Sequence, residues 1–181
     1  MKMKSVIHEI LNTHGSTSVR YSVITFGDYP SVELDFGNQS DPKRIREILQ
    51  GISKNSDGAD LSRALKKARE LLQKAAVSRP DAKRILVVAM DKTSASDEIS
   101  VDVVAKSLAQ DEVRVIAVTF GKESDPQEIA KTTLNENNVI ETDESDNAKD
   151  IAAEVMEKAK NGKHLWKSVL EMKEITKLVC L

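Results

Sequence analysis

The strongest pattern along the chain is a pair of apolar runs without polar alternation. Residues 85–90 are all apolar and are followed by Asp91, and residues 113–120 are mostly apolar and are followed by Gly121. Runs of this length predict strands buried on both faces, as in a parallel sheet that is covered by helices. Because ligands of such sheets collect at the carboxyl ends of the strands, we expect Asp91 at a functional edge.

The sequence before these runs predicts a helix, two strands and two further helices. Residues 19–26 begin with alternation and become continuously apolar, whereas residues 32–36 alternate apolar with acidic side chains, as is typical of an edge strand with one wet face. The turn residues between them indicate a hairpin. Asp41 followed by Pro42 predicts the start of one helix, and the apolar spacing from Leu61 predicts a longer one.

Helices and strands alternate through the rest of the sequence. A helix around residues 101–108 precedes the strand at 113–120, Asp125 caps a helix, residues 139–140 predict a short strand, and Asp146 opens a last helix. Such alternation implies right-handed parallel crossovers. The predicted fold class is therefore α/β: a Rossmann-like, doubly wound and mostly parallel sheet with one antiparallel edge strand, flanked by helices on both faces.

Composition argues against several functional classes. The 27 Lys and Arg residues are balanced by 29 Asp and Glu residues, and the resulting net charge of -2 disfavours nucleic-acid binding. No apolar stretch is long enough to span a bilayer, and the first residues show no export signal. Cys180 has no second cysteine to pair with, and the three histidines lack metal-ligand spacing, so these residues predict no catalytic site.

Three stretches carry a resemblance to a known family: residues 19–27, the element from Gly58 to Leu65 that opens a helix, and residues 85–91. Their order and spacing resemble the von Willebrand factor type A domain over residues 1–160. The resemblance implies a metal-ion-dependent adhesion site, built from an Asp-x-Ser-x-Ser loop after the first strand, a Thr before the long helix and an Asp after the fourth strand. Mg²⁺ takes about six oxygen ligands and keeps several waters, so a partner's carboxylate can complete its shell.

The chain departs from that family pattern at three points. The opening strand and its loop are absent before the first predicted helix, Ala59 lies where the ligand Thr belongs, and Lys92 replaces the Gly that usually follows the Asp. A nearby ammonium opposes cation binding at Asp91. Asp60 and Ser62 carry side-chain oxygens close by, but not at the family's position. We therefore predict a degenerate site without metal, with Mg²⁺ as cofactor only if the vestigial positions Ala59, Asp91 and Lys92 were competent.

The missing strand is expected to leave a gap in the centre of the sheet, between the strands predicted at 19–26 and 84–90. Burying about six apolar residues there contributes roughly 10–15 kcal/mol, and two open edges invite association. Three explanations stay open: a truncated product, an excised piece of a longer protein, or a sheet completed by another strand. Residues 161–181 form a tail that is expected to be helical or disordered, although residues 175–181 are apolar and β-prone enough to fill the gap.

These observations predict one domain at residues 1–160 that acts as a non-enzymatic interaction or adhesion module. By resemblance, its partner is a protein, of the extracellular matrix for instance, and its location is extracellular. Two alternatives stay open: a phosphoryl-transfer enzyme that uses Asp91, and an inactive fragment of a larger adhesion protein. Asn38 begins a glycosylation triplet. The partner-binding loops are predicted to include Asp28, Tyr29, Asp60, Ser62, Asp91 and Thr93.

Overall fold

The computed structural model describes residues 2–12, 19–37, 42–52, 60–92, 100–123, 125–143, 145–160 and 175–180. Within these ranges the chain forms six strands and six α-helices. The strands are β1 (Val19–Phe26), β2 (Pro30–Leu34), β3 (Lys83–Lys92), β4 (Val113–Glu123), β5 (Val139–Thr142) and β6 (Ile175–Cys180). The helices are α1 (Lys2–Asn12), α2 (Pro42–Gly51), α3 (Leu61–Ser78), α4 (Val101–Gln110), α5 (Pro126–Thr133) and α6 (Ala148–Lys160).

The six strands form one sheet in the order β2-β1-β6-β3-β4-β5. The β1–β2 pair is antiparallel, and the other four neighbouring pairs are parallel. β2 lies at one edge of the sheet, as its alternating pattern predicts. The predicted fold class, a mostly parallel sheet with one antiparallel edge strand, is therefore confirmed.

The centre of the sheet is completed by β6. Its residues pair in register with β1 from Val19 to Ile24 and with β3 from Lys83 to Val88, parallel on both sides. This is the gap that the sequence predicts, so β1 and β3 have no open edge there. The expectation of helix or disorder for the tail is wrong for residues 175–180, which form a strand; the rest of the tail lies outside the described residues. The domain boundary at residue 160 stays a prediction.

The continuous apolar run in β3 serves two cores, one on each face of the sheet. Ile85 and Val87 belong to one core, and Leu86 and Val88, which alternate with them, belong to the other. Because both faces are covered, the strand has no solvent-facing side that would call for polar residues. The first core packs against α1, α2 and α6, through Ile7, Ile10, Leu49, Ile151 and Val155. The second packs against α3, α4 and α5, through Leu65, Leu72, Val104, Leu108 and Ile129.

The predicted helix caps are confirmed in one case and displaced in another. Asp125 accepts a hydrogen bond from the backbone N–H of Gln127 at 2.9 Å, as a cap of α5 should. At the start of α6 the capping residue is Asn147, whose side chain accepts from the N–H of Lys149 at 2.9 Å. Asp146 instead accepts from the backbone N–H of Asp143 at 2.8 Å. The prediction that Asp146 opens this helix is therefore wrong by one residue.

A charged cluster joins α3 to the end of α4 at the amino edge of the sheet. Arg69 places Nε 2.6 Å from one carboxylate oxygen of Asp111, and the amide of Gln73 donates to the same oxygen at 2.9 Å. The hydrogen bond from Arg69 lowers the pKa of Asp111 below its ordinary value, since it stabilises the ionised form.

None of the helices within the described ranges combines the length and apolar character that crossing a bilayer needs.

Hydrogen exchange tests the position of β6. We expect the backbone amides of residues 175–180 to be protected nearly as strongly as those of β3, because a central strand opens only with the sheet. The amides of β2, an edge strand, should exchange earlier. NMR or mass spectrometry of the intact chain would measure both rates, and amides in residues 175–180 that exchange as fast as in a free peptide would contradict this topology.

The Asp111→Asn substitution should lower the free energy of unfolding at pH 7 by about 1 kcal/mol, because it removes a charge-assisted hydrogen bond that is partly exposed. Asp111 has a lowered pKa in the fold and about 3.9 in the unfolded chain, so its contribution is complete above about pH 4–5 and is lost as the pH falls through the folded value. Urea unfolding between neutral and acid pH would measure this. Asp81→Asn, at an exposed carboxylate, is the control, and an equal loss there would contradict the assignment.

Candidate functional site

The candidate site is the carboxyl edge of the sheet, where the turn after β1 meets the start of α3. The backbone N–H of Asp60 donates to the carbonyl oxygen of Gly27 at 2.9 Å, which ties the two segments together. Since β1 and β3 flank β6, their ends lie about 10 Å apart across it. The edge therefore presents the β1–β2 turn on one side of β6 and Asp91 on the other.

Asp60 is a helix cap that is also held by an arginine. One of its carboxylate oxygens accepts from the backbone N–H of Arg63 at 2.9 Å and from the hydroxyl of Ser62 at 3.2 Å. The other oxygen lies 2.7 Å from Nε of Arg63. The side chain is only 15% exposed. These bonds engage both carboxylate oxygens of Asp60 within the fold.

Arg63 also contacts an aromatic ring at the surface. Its guanidinium carbon lies 5.1 Å from the centre of the Tyr29 ring, within the range of a cation–π contact. The Tyr29 side chain is 74% exposed. The Arg63 side chain thus contacts both the Asp60 carboxylate and the exposed Tyr29 ring.

Arg63 is not among the residues predicted from the sequence, because it is one of several charged residues on the solvent-facing side of α3. The signal that could have identified it is the spacing of three residues from Asp60, the distance at which oppositely charged side chains meet on a helix. The aromatic contact carried no sequence signal, because Tyr29 and Arg63 are brought together by the turn and not by a local pattern.

The predicted partner-binding residues differ in accessibility. Asp28 and Tyr29 are exposed, and Asp91 is half-buried at the end of β3. Ser62 is 2% exposed and donates to Asp60, so it is not available to a partner in this conformation. Ala59, Thr93, Asn38 and the side chain of Lys92 lie outside the described residues, and their predicted roles stay predictions.

An irregularity in the sheet surrounds Asp91. The pairing of β3 with β4 passes from Met90 opposite Thr119 to Lys92 opposite Glu123, so two steps along β3 match four along β4. The extra residues of β4 include Gly121, whose φ of 94° belongs to the left-handed region that glycine adopts without strain. Such bulges redirect the strands at the rim of a sheet, here directly beside the candidate site.

The described residues do not fit a metal centre. No group of three or more His, Cys, Asp or Glu side chains in this part of the chain is arranged to hold an ion. Mg²⁺ needs about six oxygens, of which proteins supply one or more as carboxylates. Asp60 is already bound within the fold, which leaves Asp91 as the predicted ligand position among the described residues of this edge. A magnesium-dependent phosphoryl transfer at Asp91 would need further metal ligands as well. That alternative stays untested.

Solved structures with this fold come from several sources. Proximal thread matrix protein 1 from the mussel byssus superposes with a TM-score of 0.75 at 18% identity, over 87% of this chain and 40% of that protein. The same protein with a zinc-occupied MIDAS motif gives 0.74 at 18% identity, over 88% and 41%. An aerotolerance-related membrane protein from Bacteroides fragilis gives 0.68 at 16% identity, over 87% and 86%. This chain thus spans less than half of the mussel protein that it matches.

The sequence comparison agrees with the fold. A sequence model described as the von Willebrand factor type A domain matches residues 1–154, which include every described element except the end of α6 and β6. The resemblance carried by residues 19–27 and 85–91 is therefore confirmed. The chain belongs to the von Willebrand factor type A domain family.

Proposed function

We propose that this chain is a protein-interaction module that binds a protein partner at the carboxyl edge of its sheet without a divalent metal. The observation that carries the proposal is the state of Asp60. Its carboxylate is engaged by the start of α3 and by the Arg63 guanidinium, which leaves Asp91 as the predicted ligand position among the described residues of this edge. One carboxylate in water-accessible surroundings attracts a cation only weakly, because water screens the two charges.

The contact with the partner centres on Tyr29 and Arg63. Tyrosine and arginine are enriched among residues that dominate binding energies, because each offers a large contact area with a polar group at its end. A ring that is already held by a guanidinium loses little side-chain freedom on binding. Asp28, exposed in the same turn, gives this surface an acidic neighbour that favours a partner with a basic residue opposite it.

Recognition, and not catalysis, is the role that the family relationship favours. The mussel protein is named as a thread matrix protein, which supports an extracellular matrix partner and an extracellular location for this chain. The Bacteroides fragilis protein, by contrast, is named as a membrane protein. In an extracellular setting the Asn38 triplet is a glycosylation acceptor, and glycan attachment there is part of the proposal.

Metal independence has a direct test. Titration of the chain with Mg²⁺ or Mn²⁺ in a calorimeter should show no binding at micromolar affinity. Binding to immobilised fibrillar collagen, laminin or fibronectin should be the same in excess EDTA as in excess Mg²⁺. Loss of binding in EDTA, with recovery on adding Mg²⁺, would overturn the proposal.

The Tyr29→Ala substitution should weaken binding to the matrix protein that the chain captures by about tenfold or more, as expected for a central aromatic contact. The free energy of unfolding should change by less than about 1 kcal/mol, since the ring is exposed. Surface plasmon resonance and urea unfolding measure the two effects. Val77→Ala is the matched control, because Val77 is an apolar side chain, 87% exposed, near the other end of α3. An equal loss of affinity in both variants would place the contact elsewhere.

Asp60→Ala should lower the free energy of unfolding by about 1 kcal/mol, the usual effect of losing a helix cap. Asp60→Asn should cost less, because the amide oxygen still accepts the capping hydrogen bond while the ion pair with Arg63 is lost. Thermal unfolding of both variants, with and without Mn²⁺, measures this. If Asp60 were a metal ligand, Mn²⁺ would raise the melting temperature of the unmodified chain and not that of the variants.

A further inference from the structure

β6 pairs with β1 on one side and with β3 on the other through backbone hydrogen bonds. It follows α6 through residues 161–174, and among the described elements it comes last. Yet it lies at the centre of the sheet, between β1 and β3. A strand that is central in space but last among the described elements can leave its place without unthreading any of them.

The place that β6 occupies, called the slot from here on, is bounded by the backbone of β1 on one side and that of β3 on the other. Six residues of β6 pair with Val19 to Ile24 on one side and with Lys83 to Val88 on the other, both in parallel. The side chains that flank the slot are buried, including Ser22, Val23, Leu86 and Val87. A slot of this kind selects its occupant by direction, by register and by alternate side-chain positions, as in recognition by strand addition.

We propose that this slot accepts the same strand from a second copy of the chain, so that two copies exchange residues 175–180. Every backbone hydrogen bond that β6 makes within one chain is available between two, because the exchanged strand is identical. Fourteen residues connect α6 to β6. Fully extended they span up to about 46–50 Å, which exceeds the diameter of about 40 Å expected for a domain of this length. The connection is long enough to reach a neighbouring slot.

Concentration decides between the closed and the exchanged form. A strand tethered within the same chain reaches its own slot at an effective concentration of about the millimolar range, so a folded dilute chain keeps its own strand. Exchange therefore occurs when the strand is released, by refolding at high protein concentration or by cutting the connection. This inference is independent of the proposed partner surface, because Tyr29 and Arg63 lie outside the slot.

The test uses the full chain with a specific protease site inserted between residues 160 and 175. After folding and cleavage, the released end should stay bound, and a fluorescent peptide of residues 173–181 should replace it with micromolar affinity, followed by anisotropy. The same peptide with Leu178→Pro should bind about tenfold more weakly or worse, since proline removes a ladder donor. Three results would overturn the proposal. The cleaved fragment could separate without the peptide binding in its place, the fragment could never exchange with the peptide, or an unrelated β-prone peptide could bind equally well.

A second measurement covers the case in which the insertion prevents folding. Two unmodified full chains with different tags are unfolded together, refolded at high concentration and then diluted. We expect a mixed dimer in size-exclusion chromatography with light scattering, which persists on dilution because release of a central strand is slow. A chain with Leu178→Pro should give none. Refolding of the unmodified chains to monomer alone, at every concentration up to the millimolar range, would overturn the proposal.

Discussion

The backbone ladder that β6 makes with β1 and β3 is the interaction on which the rest of the molecule depends. A parallel sheet has no tolerance for a missing central strand, because the N–H and C=O groups on both sides would be buried without partners. With β6 in place, β1 and β3 are held one strand apart and in the same direction. Their carboxyl ends then meet at one edge, which sets the distance between the β1–β2 turn and Asp91.

The two cores follow from the same constraint. Each face of the sheet is covered by helices, so the central strands carry apolar residues at successive positions, with Leu86 on one side and Val87 on the other. This rigid base supports a small polar arrangement at its edge. The carboxylate of Asp60 caps α3 and binds Arg63, and Arg63 in turn holds Tyr29 at the surface. At the candidate site, an ion pair within the fold thus lies at the edge where the family resemblance implies a metal ion.

Much of the fold could be predicted from the sequence because its signals are local. The apolar run before Asp91 gave a buried strand, and Asp125 followed by Pro126 gave a helix start, since both patterns act within a few residues. The place of β6 in the central gap is predicted only as an alternative to a helical or disordered tail, because its local signal is weaker. The segment 175–180 is short, and the polar residues Thr176 and Lys177 interrupt its apolar pattern. No local feature indicates which strands it pairs with.

The candidate site shows the same division. Asp60 was recognisable as a nearby oxygen, but whether it faced a cation or an arginine depended on the geometry of the helix start. Asp146 and Asn147 are equally good caps by residue type, and only the backbone path selects Asn147. Sequence patterns thus placed the edge and its loops, while the pairings within it required the three-dimensional structure.

The order of the strands has a consequence for biosynthesis. A ribosome that adds about 5–20 residues per second completes β6 roughly 7–30 s after β1. For the part of that interval after β3 is complete, about 4–18 s at the same rates, the nascent polypeptide carries two strand edges that cannot yet meet their partner. Such a delay makes the emerging chain a natural client for chaperones that shield hydrophobic segments, and it makes expression yield sensitive to the speed of translation through the last codons of the sheet.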